Sequence, residues 1–432
     1  MDNSDIVSRY RPDLNQFEAI YRSIHENAEL SGKESETAQR VADHLSSLGF
    51  FVAKGVGGTG VIGVLRNGQG QCIMLRAELD ALPIREATGL PYACSKTMKD
   101  SWGLDQPVMH ACGHDLHLAS LLATATLMKE AESQWQGTLV LVFQPNEEHT
   151  GGAQAMVDEG LYDIVPVPDA IFGQHSGPFQ AGHVRIRSGP VLVSADSVKI
   201  RLYSSLGHAA NPQVNIDPVK VASALILRSD EMAREASGGE FASITVNEIH
   251  AGHPGQDWVS HVDLVLDVKT YSEDIRQKLL RGIRDMATKL SHEAGVPKPP
   301  TVTTSVRAPL TRNDEGLTEI LRQSFIDHFG PEKVGDALPK HPCEDFSRLA
   351  APFGTPYVFW FFGRQDPVEF EEAVRADEFL DKVPINHSPF NGPVLRPTLQ
   401  TGTDALALAA LNFLSRNGTQ ISERPRLDCE NE

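Results

Sequence analysis

The chain has 432 residues, which favours two domains, and its 41% hydrophobic and 22% charged residues are typical of a globular protein. A formal net charge of −18 at pH 7 argues against nucleic acid or an anionic membrane surface as a partner. No stretch approaches the ~20 apolar residues of a membrane span. Five cysteines at irregular spacing and an acidic, polar N-terminus, unlike a signal peptide, favour a cytoplasmic protein with reduced thiols.

The first part of the sequence predicts an α/β domain. Apolar residues at helical spacing predict an amphipathic helix over residues 34–48. Strands are predicted at 50–53 and 61–65, and Asn67-Gly68 predicts a hairpin turn into a further strand at 72–77.

Polar side chains follow the predicted strands of this domain. Asp80 comes shortly after the third strand, and Glu147 and Glu148 follow the continuous apolar run 138–143. His175 follows the next predicted strand in the same way. Because sites in open α/β sheets form outside the carboxyl ends of the strands, we expect these side chains to share one site.

The nonapeptide 109–117 concentrates a thiol, a carboxylate and three imidazoles before a predicted helix. Glycine separates Cys112 from His114, so both side chains can point at one centre. Cysteine and histidine in this arrangement indicate a transition-metal site. A nucleophilic Cys112 with His114 or His110 as its base is the alternative, but a thiolate ligand accounts better for the surrounding imidazoles.

The middle of the chain has a different pattern. Alternating apolar residues predict a half-exposed strand at 198–202. The further elements predicted are a helix from 217 to 227, strands at 244–249 and 262–268, and a helix from 272 to 292. The proline-rich segment 296–300 then predicts a linker. We expect a small α+β domain at 191–305, inserted between two parts of the main domain at 1–190 and 306–432.

Several segments together resemble one known family. They are 75–84, Met109–His117, Phe143–Glu148, Gly207-His208, Glu344–Phe346 and Asn386–Pro389. Over nearly its whole length the chain resembles the metallo-amidohydrolases that include hippurate hydrolase, N-acyl-amino-acid amidohydrolases, auxin-conjugate hydrolases, aminoacylases and carboxypeptidases. The Cys-Gly-His-Asp-x-His segment combined with Gln-Pro-x-Glu-Glu is highly specific.

The resemblance implies a pair of divalent metal ions, Zn²⁺ or Mn²⁺, with Co²⁺ and Ni²⁺ as alternatives. The ligands that it implies are Cys112, His114, Glu148, His175 and His387, with Cys112 bridging the two ions. It further implies that Glu147 is the general base and that Asp80 orients a ligand.

The resemblance also implies a fold and an assembly. The fold is a catalytic α/β domain with a mixed, largely parallel sheet flanked by helices, into which a ferredoxin-like lid and dimerisation domain is inserted. His208, in that inserted domain, would reach the partner subunit's site and stabilise the oxyanion of the tetrahedral intermediate. We therefore expect a homodimer formed through 191–305 that acts on a small molecule.

Some positions depart from the pattern of the family. Glu78 stands where relatives commonly have aspartate, and Lys269 stands where they usually carry arginine. If that residue binds a substrate carboxylate, bidentate pairing is lost. Gln256 replaces an asparagine, and Asn211-Pro212-Gln213 replaces a motif that ends in histidine. The implied ligands and base are all kept, so these departures concern the substrate more than the chemistry.

We therefore predict a metal-dependent amidohydrolase that cleaves the amide bond of an N-acyl amino acid or a similar small conjugate by metal-activated water. A dipeptidase or carboxypeptidase on the same scaffold is the nearest alternative. The same residues would also support amide formation in a biosynthetic pathway. A non-catalytic binding protein is disfavoured by the intact Glu147 and ligand set.

Overall fold

A computed structural model describes residues 1–205, 216–254, 258–339, 342–416 and 418–421. The chain divides into two compact units. The first comprises Met1–Val191, Arg312–Leu338 and Asp345–Glu432, and the second comprises Leu192–Thr311 and Pro339–Glu344. The lid and dimerisation role expected for the inserted block stays a prediction.

Helices and strands are numbered along the chain. The strands are β1 (Phe51–Val56), β2 (Gly60–Asn67), β3 (Cys72–Glu78), β4 (Thr97–Lys99), β5 (Asp105–Pro107), β6 (Gly137–Gln144), β7 (Ala170–Gln180), β8 (Val184–Ile186), β9 (Gly189–Leu192), β10 (Ser194–Tyr203), β11 (Ala242–Ala251), β12 (His261–Thr270), β13 (Thr301–Ala308), β14 (Thr311–Asn313), β15 (Val334–Asp336) and β16 (Tyr357–Gln365). The helices are α1 (Asn3–Tyr10), α2 (Leu14–Glu26), α3 (Ser35–Ser47), α4 (His114–Glu130), α5 (Gly152–Asp158), α6 (Leu161–Ile164), α7 (Pro218–Ser237), α8 (Glu273–Glu293), α9 (Glu315–Phe329), α10 (Pro367–Arg375), α11 (Phe379–Lys382) and α12 (Leu395–Leu414).

An eight-stranded mixed sheet forms the centre of the first unit. Its strand order is β1-β2-β6-β3-β7-β16-β8-β15. The central strands β6, β3, β7 and β16 are parallel neighbours. The pairs β1–β2, β2–β6 and β16–β8 are antiparallel, and β15 is parallel to β8. Every residue of β3 is buried, as expected of a strand that is covered on both faces. The predicted α/β class with a mixed, largely parallel sheet is confirmed.

Helices pack against this sheet and complete the main hydrophobic core. The helix α4 is buried from its first residue, His114, to Met128, which explains why its apolar residues surround the whole helix instead of one face. The helix α12 packs beside it, and the Thr124 hydroxyl donates to the carbonyl of Thr403 over 3.1 Å. Among the described residues, no helix combines the length and apolar character that a membrane crossing requires.

The second unit contains a four-stranded antiparallel sheet in the order β11-β12-β10-β13. With α7 between β10 and β11 and α8 between β12 and β13, the chain order is βαββαβ, as in ferredoxin-like folds. The alternation predicted at 198–202 is present, because Val198, Ile200 and Leu202 are buried in a core of their own. The sequence did not predict β13, into which the proline-rich segment 296–300 leads.

The hairpin predicted at Asn67-Gly68 is wrong. The strand β6 lies between β2 and β3, antiparallel to the first and parallel to the second. The Asn67 side chain instead donates to the carbonyls of Glu132 and Trp135, over 2.6 and 2.7 Å, just before β6 begins. The strongly apolar β6 takes the inner position because its residues can be buried on both faces.

The strand β7 is longer than predicted. The sequence places its end before His175, whereas the strand runs to Gln180. Pairing with β3 stops at Gly173, but pairing with β16 continues, with Phe361 opposite His175. His175 is therefore fixed within a strand and not at its end.

Candidate metal centre

The loop before α4 brings a thiol and an imidazole to the same point. Gly113 has a φ of +90°, and a Cβ atom there would lie 2.6 Å from the Ser176 hydroxyl oxygen, so only glycine fits. The helix begins at the next residue, His114. As a result, the possible ligand atoms of Cys112, His114 and His175 lie within 4.8 Å of one another.

Both histidines of this group are held through Nδ1, the ring nitrogen that faces away from the Cys112 thiol. The Nδ1 atom of His114 lies 2.9 Å from the carbonyl oxygen of Asp80 and 3.2 Å from its carboxylate. The Nδ1 atom of His175 lies 2.8 Å from the carbonyl oxygen of Ser176, and its Nε2 atom lies 3.3 Å from Cys112 Sγ. Histidines that bind metal are usually held in this way.

The turn after β6 presents two carboxylates. Asn146 adopts the left-handed conformation, with a φ of +54°, and its backbone N–H donates to the buried carboxylate of Glu34 over 3.0 Å. The backbone N–H of Glu148 donates to Asp80 over 3.0 Å. Burial and the nearby Asp80 raise the pKa of Glu34. Glu34 and Asp80 thus fix the backbone on both sides of Glu147, which is 6% exposed.

The two glutamates lie beside the histidines. The Nε2 atom of His114 is 3.8 Å from a carboxylate oxygen of Glu147 and 3.9 Å from one of Glu148. The other carboxylate oxygen of Glu148 is 3.4 Å from Nε2 of His387. Glu148 therefore lies between His114 and His387, and with Cys112 and His387 it forms a second group of possible ligands within 4.8 Å.

His387 belongs to a loop that returns to the start of α4. Its φ is +68°, a left-handed conformation that is uncommon for a residue other than glycine. Its backbone N–H donates to the carbonyl of Ala111 over 2.9 Å. Hydrogen bonds with Cys112 and Glu148 raise the pKa of His387 to about 10. A metal ion that binds this ring must displace its proton, so metal affinity should fall at low pH.

Hydrogen bonding also sets the charges of Asp80 and His114. Burial acts to raise the pKa of Asp80, but the hydrogen bond to His114 outweighs it and the pKa is lowered. Burial acts to lower the pKa of His114, but Cys112 and Asp80 outweigh it and the pKa is raised. Asp80 is therefore an anion that holds the ring of His114.

A neighbouring group, Glu78, His114 and His117, also has possible ligand atoms within 4.8 Å. Both ring nitrogens of His117 are already used: Nδ1 lies 2.8 Å from Glu78, and Nε2 accepts from the backbone N–H of Ser176 over 2.8 Å. Burial lowers the pKa of His117, in keeping with a neutral ring. The buried Arg76 pairs with Glu78 from the other side. Glu78 and His117 therefore support the metal centre through hydrogen bonds and are not counted among its ligands.

The donor atoms that remain fit divalent transition metals. The Nε2 atom of His114 and the Oε1 atom of Glu148 are buried and have no hydrogen-bond partner in the described parts of the chain. Buried polar atoms are normally satisfied, so these two atoms point to a missing partner of opposite character. A set of one thiolate, imidazoles and carboxylates is suited to Zn²⁺, Mn²⁺, Co²⁺ or Ni²⁺.

The structure brings most of the predicted site residues together. They are Asp80, Cys112, His114, Glu147, Glu148, His175 and His387. His208 and Gln256 lie outside the described residues. His110 is buried beside the site, and neither of its ring nitrogens has a hydrogen-bond partner in the described ranges. Sequence analysis missed Glu34, which lies among other charged residues and outside any motif.

Comparison with known proteins gives a consistent result. Residues 74–386 match the Peptidase family M20/M25/M40. Hippurate hydrolase of Campylobacter jejuni is 33% identical over 352 residues, covering 80% of this chain and 87% of that protein. N-acetyl-L-cysteine deacetylase of Bacillus subtilis is 31% identical over 351 residues, covering 81% and 80%.

A solved structure has the same fold. The crystal structure of a dinuclear metal-binding peptidase from Bacillus subtilis superposes with a TM-score of 0.73 at 24% identity, covering 92% of this chain and 97% of that one. The sequence relatives confirm the predicted class of enzyme, a hydrolase acting on amide or peptide bonds. The chain therefore belongs to the Peptidase family M20/M25/M40.

Proposed function

We propose that this enzyme hydrolyses the amide bond of an N-acyl amino acid or a similar small conjugate at a centre of two divalent metal ions, Zn²⁺ or Mn²⁺. The residues that would hold the metals are Cys112, His114, Glu148, His175 and His387. The observation that carries the proposal is the convergence of their donor atoms beside Glu147 at the carboxyl edge of the sheet.

The chemistry is a hydrolysis in which water attacks the amide carbonyl. Bound divalent metals supply Lewis acidity, which polarises the carbonyl and lowers the pKa of water to about 7. Glu147 takes the proton of the attacking water and delivers it to the departing nitrogen. Asp80 holds the ring of His114 and the backbone of Glu148 in place, through contacts of 3.2 and 3.0 Å.

The assembly is part of the proposal. A cytoplasmic homodimer formed through 191–305 would place His208 of one subunit at the site of its partner, where it stabilises the oxyanion.

Lys269, at a position where a substrate carboxylate could bind, forms an ion pair with Asp267, with 3.2 Å between nitrogen and oxygen. Arg307 pairs with the same carboxylate over 2.9 Å, so Asp267 offsets only one of two positive charges, and substrates with and without a carboxylate should both be assayed.

The test is turnover of a panel of N-acyl amino acids, simple N-acyl amines and dipeptides by metal-loaded protein. Glu147→Gln should lower kcat by about 10²- to 10⁴-fold, because it removes the proton acceptor. Metal content, measured by elemental analysis, should stay unchanged. Glu159→Gln is the matched control, since Glu159 is exposed and its carboxylate accepts from the backbone N–H of Gly57 over 2.8 Å. Equal turnover by wild type and Glu147→Gln would refute the mechanism.

A second variant, His208→Ala, combined with Glu147→Gln tests the assembly. His208→Ala and Glu147→Gln should each be inactive alone. In a refolded equal mixture half of the dimers are mixed, and each mixed dimer has one intact site, so about a quarter of wild-type activity should return. Verified mixed dimers without activity would rule out a contribution of His208 in trans.

A further inference from the structure

Arg364, near the end of β16, is a fully buried cation without a carboxylate partner in the described residues. Its side chain is 0% exposed, and it donates to Asn391 Oδ1 over 2.6 Å, to Asn386 Oδ1 over 3.0 Å and to the carbonyl of Pro384 over 3.0 Å. Burial lowers its pKa to about 10, so it is still charged at neutral pH. A buried guanidinium is costly unless its donors are well used, which makes neutral partners unusual.

All three acceptors lie on one loop, residues 384–391, which carries His387. Through its three donor nitrogens the guanidinium binds the loop at its beginning, beside His387 and at its end. A planar group with fixed donor directions can hold three acceptors in one geometry, which a lysine ammonium cannot do.

Asn386 and Asn391 connect Arg364 to the backbone of Ala111 and Cys112. Their oxygens face the guanidinium, so their amide nitrogens face the opposite way. The amide nitrogen of Asn386 donates to the carbonyl of Cys112 over 3.1 Å, and that of Asn391 donates to the carbonyl of Ala111 over 2.6 Å. The Asn386 nitrogen also lies 3.6 Å from Cys112 Sγ.

The conformation of His387 needs such support. Its left-handed backbone, with a φ of +68°, is unfavourable for a residue with a Cβ atom and persists only where surrounding contacts impose it. The contacts described above impose it from both sides: Arg364 from the sheet, and Ala111 and Cys112 from the loop before α4.

We infer that Arg364 is a positioning residue of the metal centre, which holds the loop of His387 against Cys112 through Asn386 and Asn391. Its guanidinium joins β16 to two segments whose ligands are 275 positions apart in the chain (387 − 112). The inference rests on the proposed function, because it takes Cys112 and His387 as metal ligands. Arg364 itself touches no reacting atom.

Cobalt(II) titration of the purified full-length protein, followed by absorption, tests this inference. Thiolate coordination by Cys112 in the wild type gives a thiolate-to-cobalt charge-transfer band, whose absence would count against the proposed function itself. In Arg364→Met the loop loses its anchor, and we expect cobalt affinity to fall about 10- to 100-fold with an altered charge-transfer band. Arg364→Lys keeps the charge without the three-way geometry and should not restore either property.

Arg11→Met is the matched control. It removes an arginine that pairs with the buried Asp404 over 2.7 Å in the same unit and that, among the described residues, forms no hydrogen bond with the loop of His387. Its cobalt affinity and band should equal those of the wild type. If Arg364→Met does not fold, Asn386→Ala removes the connecting amide and should show the same change. Wild-type cobalt binding in folded Arg364→Met or Asn386→Ala, or full restoration by Arg364→Lys, would overturn the inference.

Discussion

The side chains of the metal centre are held by atoms that face away from it. His114 and His175 use Nδ1 for a backbone carbonyl, of Asp80 and Ser176, which leaves Nε2 for the centre. Asn386 uses its oxygen for Arg364 and its nitrogen for Cys112. This arrangement fixes the tautomer of each ring before any metal arrives, so little ordering is left for the binding step.

A buried cluster of His25, Glu86 and Asp115 should make the free energy of unfolding depend on pH. The Nδ1 atom of His25 is 2.7 Å from Asp115 and its Nε2 atom is 3.1 Å from Glu86. Burial acts to lower the pKa of His25, but these two carboxylates outweigh it and raise the pKa to about 10. The stabilisation is therefore complete below the unfolded-state pKa of 6.5 and is lost as the pH rises from about 6.5 to about 10.

His25→Gln should lower the free energy of unfolding by about 3–5 kcal/mol at pH 6.5 and by much less near pH 10. Urea unfolding across this pH range, at a fixed metal concentration, measures the difference. His44→Gln is the control: burial lowers the pKa of His44, so its contribution changes only below pH 6.5. A constant difference between wild type and His25→Gln from pH 6.5 to 10 would contradict the prediction.

Residues of the centre were predictable where the signal was local. Cys112 and His114 are two positions apart in one motif, and Glu147 and Glu148 come shortly after an apolar strand. Arg364 was not predictable, because its partners come from a loop that shows no pattern linking it to β16. Chemistry concentrated in a short segment can be recognised, whereas support assembled from distant residues requires the fold.

At the level of elements, strand order was less predictable than strand existence. The strands β2, β3 and β6 were all predicted. The predicted hairpin made β2 and β3 neighbours, whereas β6 lies between them. Turn residues such as Asn67 and Gly68 report a change of direction and do not specify which strand becomes the neighbour. The order follows from burial, which favours the most apolar strand at the centre.

Asn67 should stabilise this strand order. Its side chain satisfies two carbonyls, of Glu132 and Trp135, so Asn67→Ala should lower the free energy of unfolding by about 1–3 kcal/mol without changing kcat. Asn247→Ala, at an exposed position of β11, should change it by less than about 0.5 kcal/mol. Urea unfolding of both variants makes the comparison, and equal stabilities would show that the Asn67 contacts contribute nothing.

At the scale of the molecule, the two units have separate hydrophobic cores. Leu141 is buried in the core of the first unit and Leu264 in that of the second. All five proposed ligands belong to the first unit. The sequence indicated this division by the change from continuous apolar runs to alternating ones, since a sheet covered on one face buries only every second residue.

This separation predicts unequal effects of two matched substitutions. Leu141→Ala and Leu264→Ala should each lower the free energy of unfolding of their own unit by about 2–5 kcal/mol, because each leaves a cavity. Only Leu141→Ala should weaken metal binding, measured by cobalt titration under mild urea. Equal loss of cobalt binding in both variants would show that the metal centre depends on the second core.

The order in which a ribosome releases this chain has a consequence for α4. The helix carries His114 and is apolar on all sides, yet the helix that packs beside it, α12, is the last of the described helices to be synthesised. Until α12 emerges, the apolar surface of α4 remains exposed to solvent. Until residue 387 emerges, the metal centre also lacks its last proposed ligand, His387. Nascent chains of this enzyme should therefore depend on chaperones until α12 has emerged, and metal can be captured only afterwards.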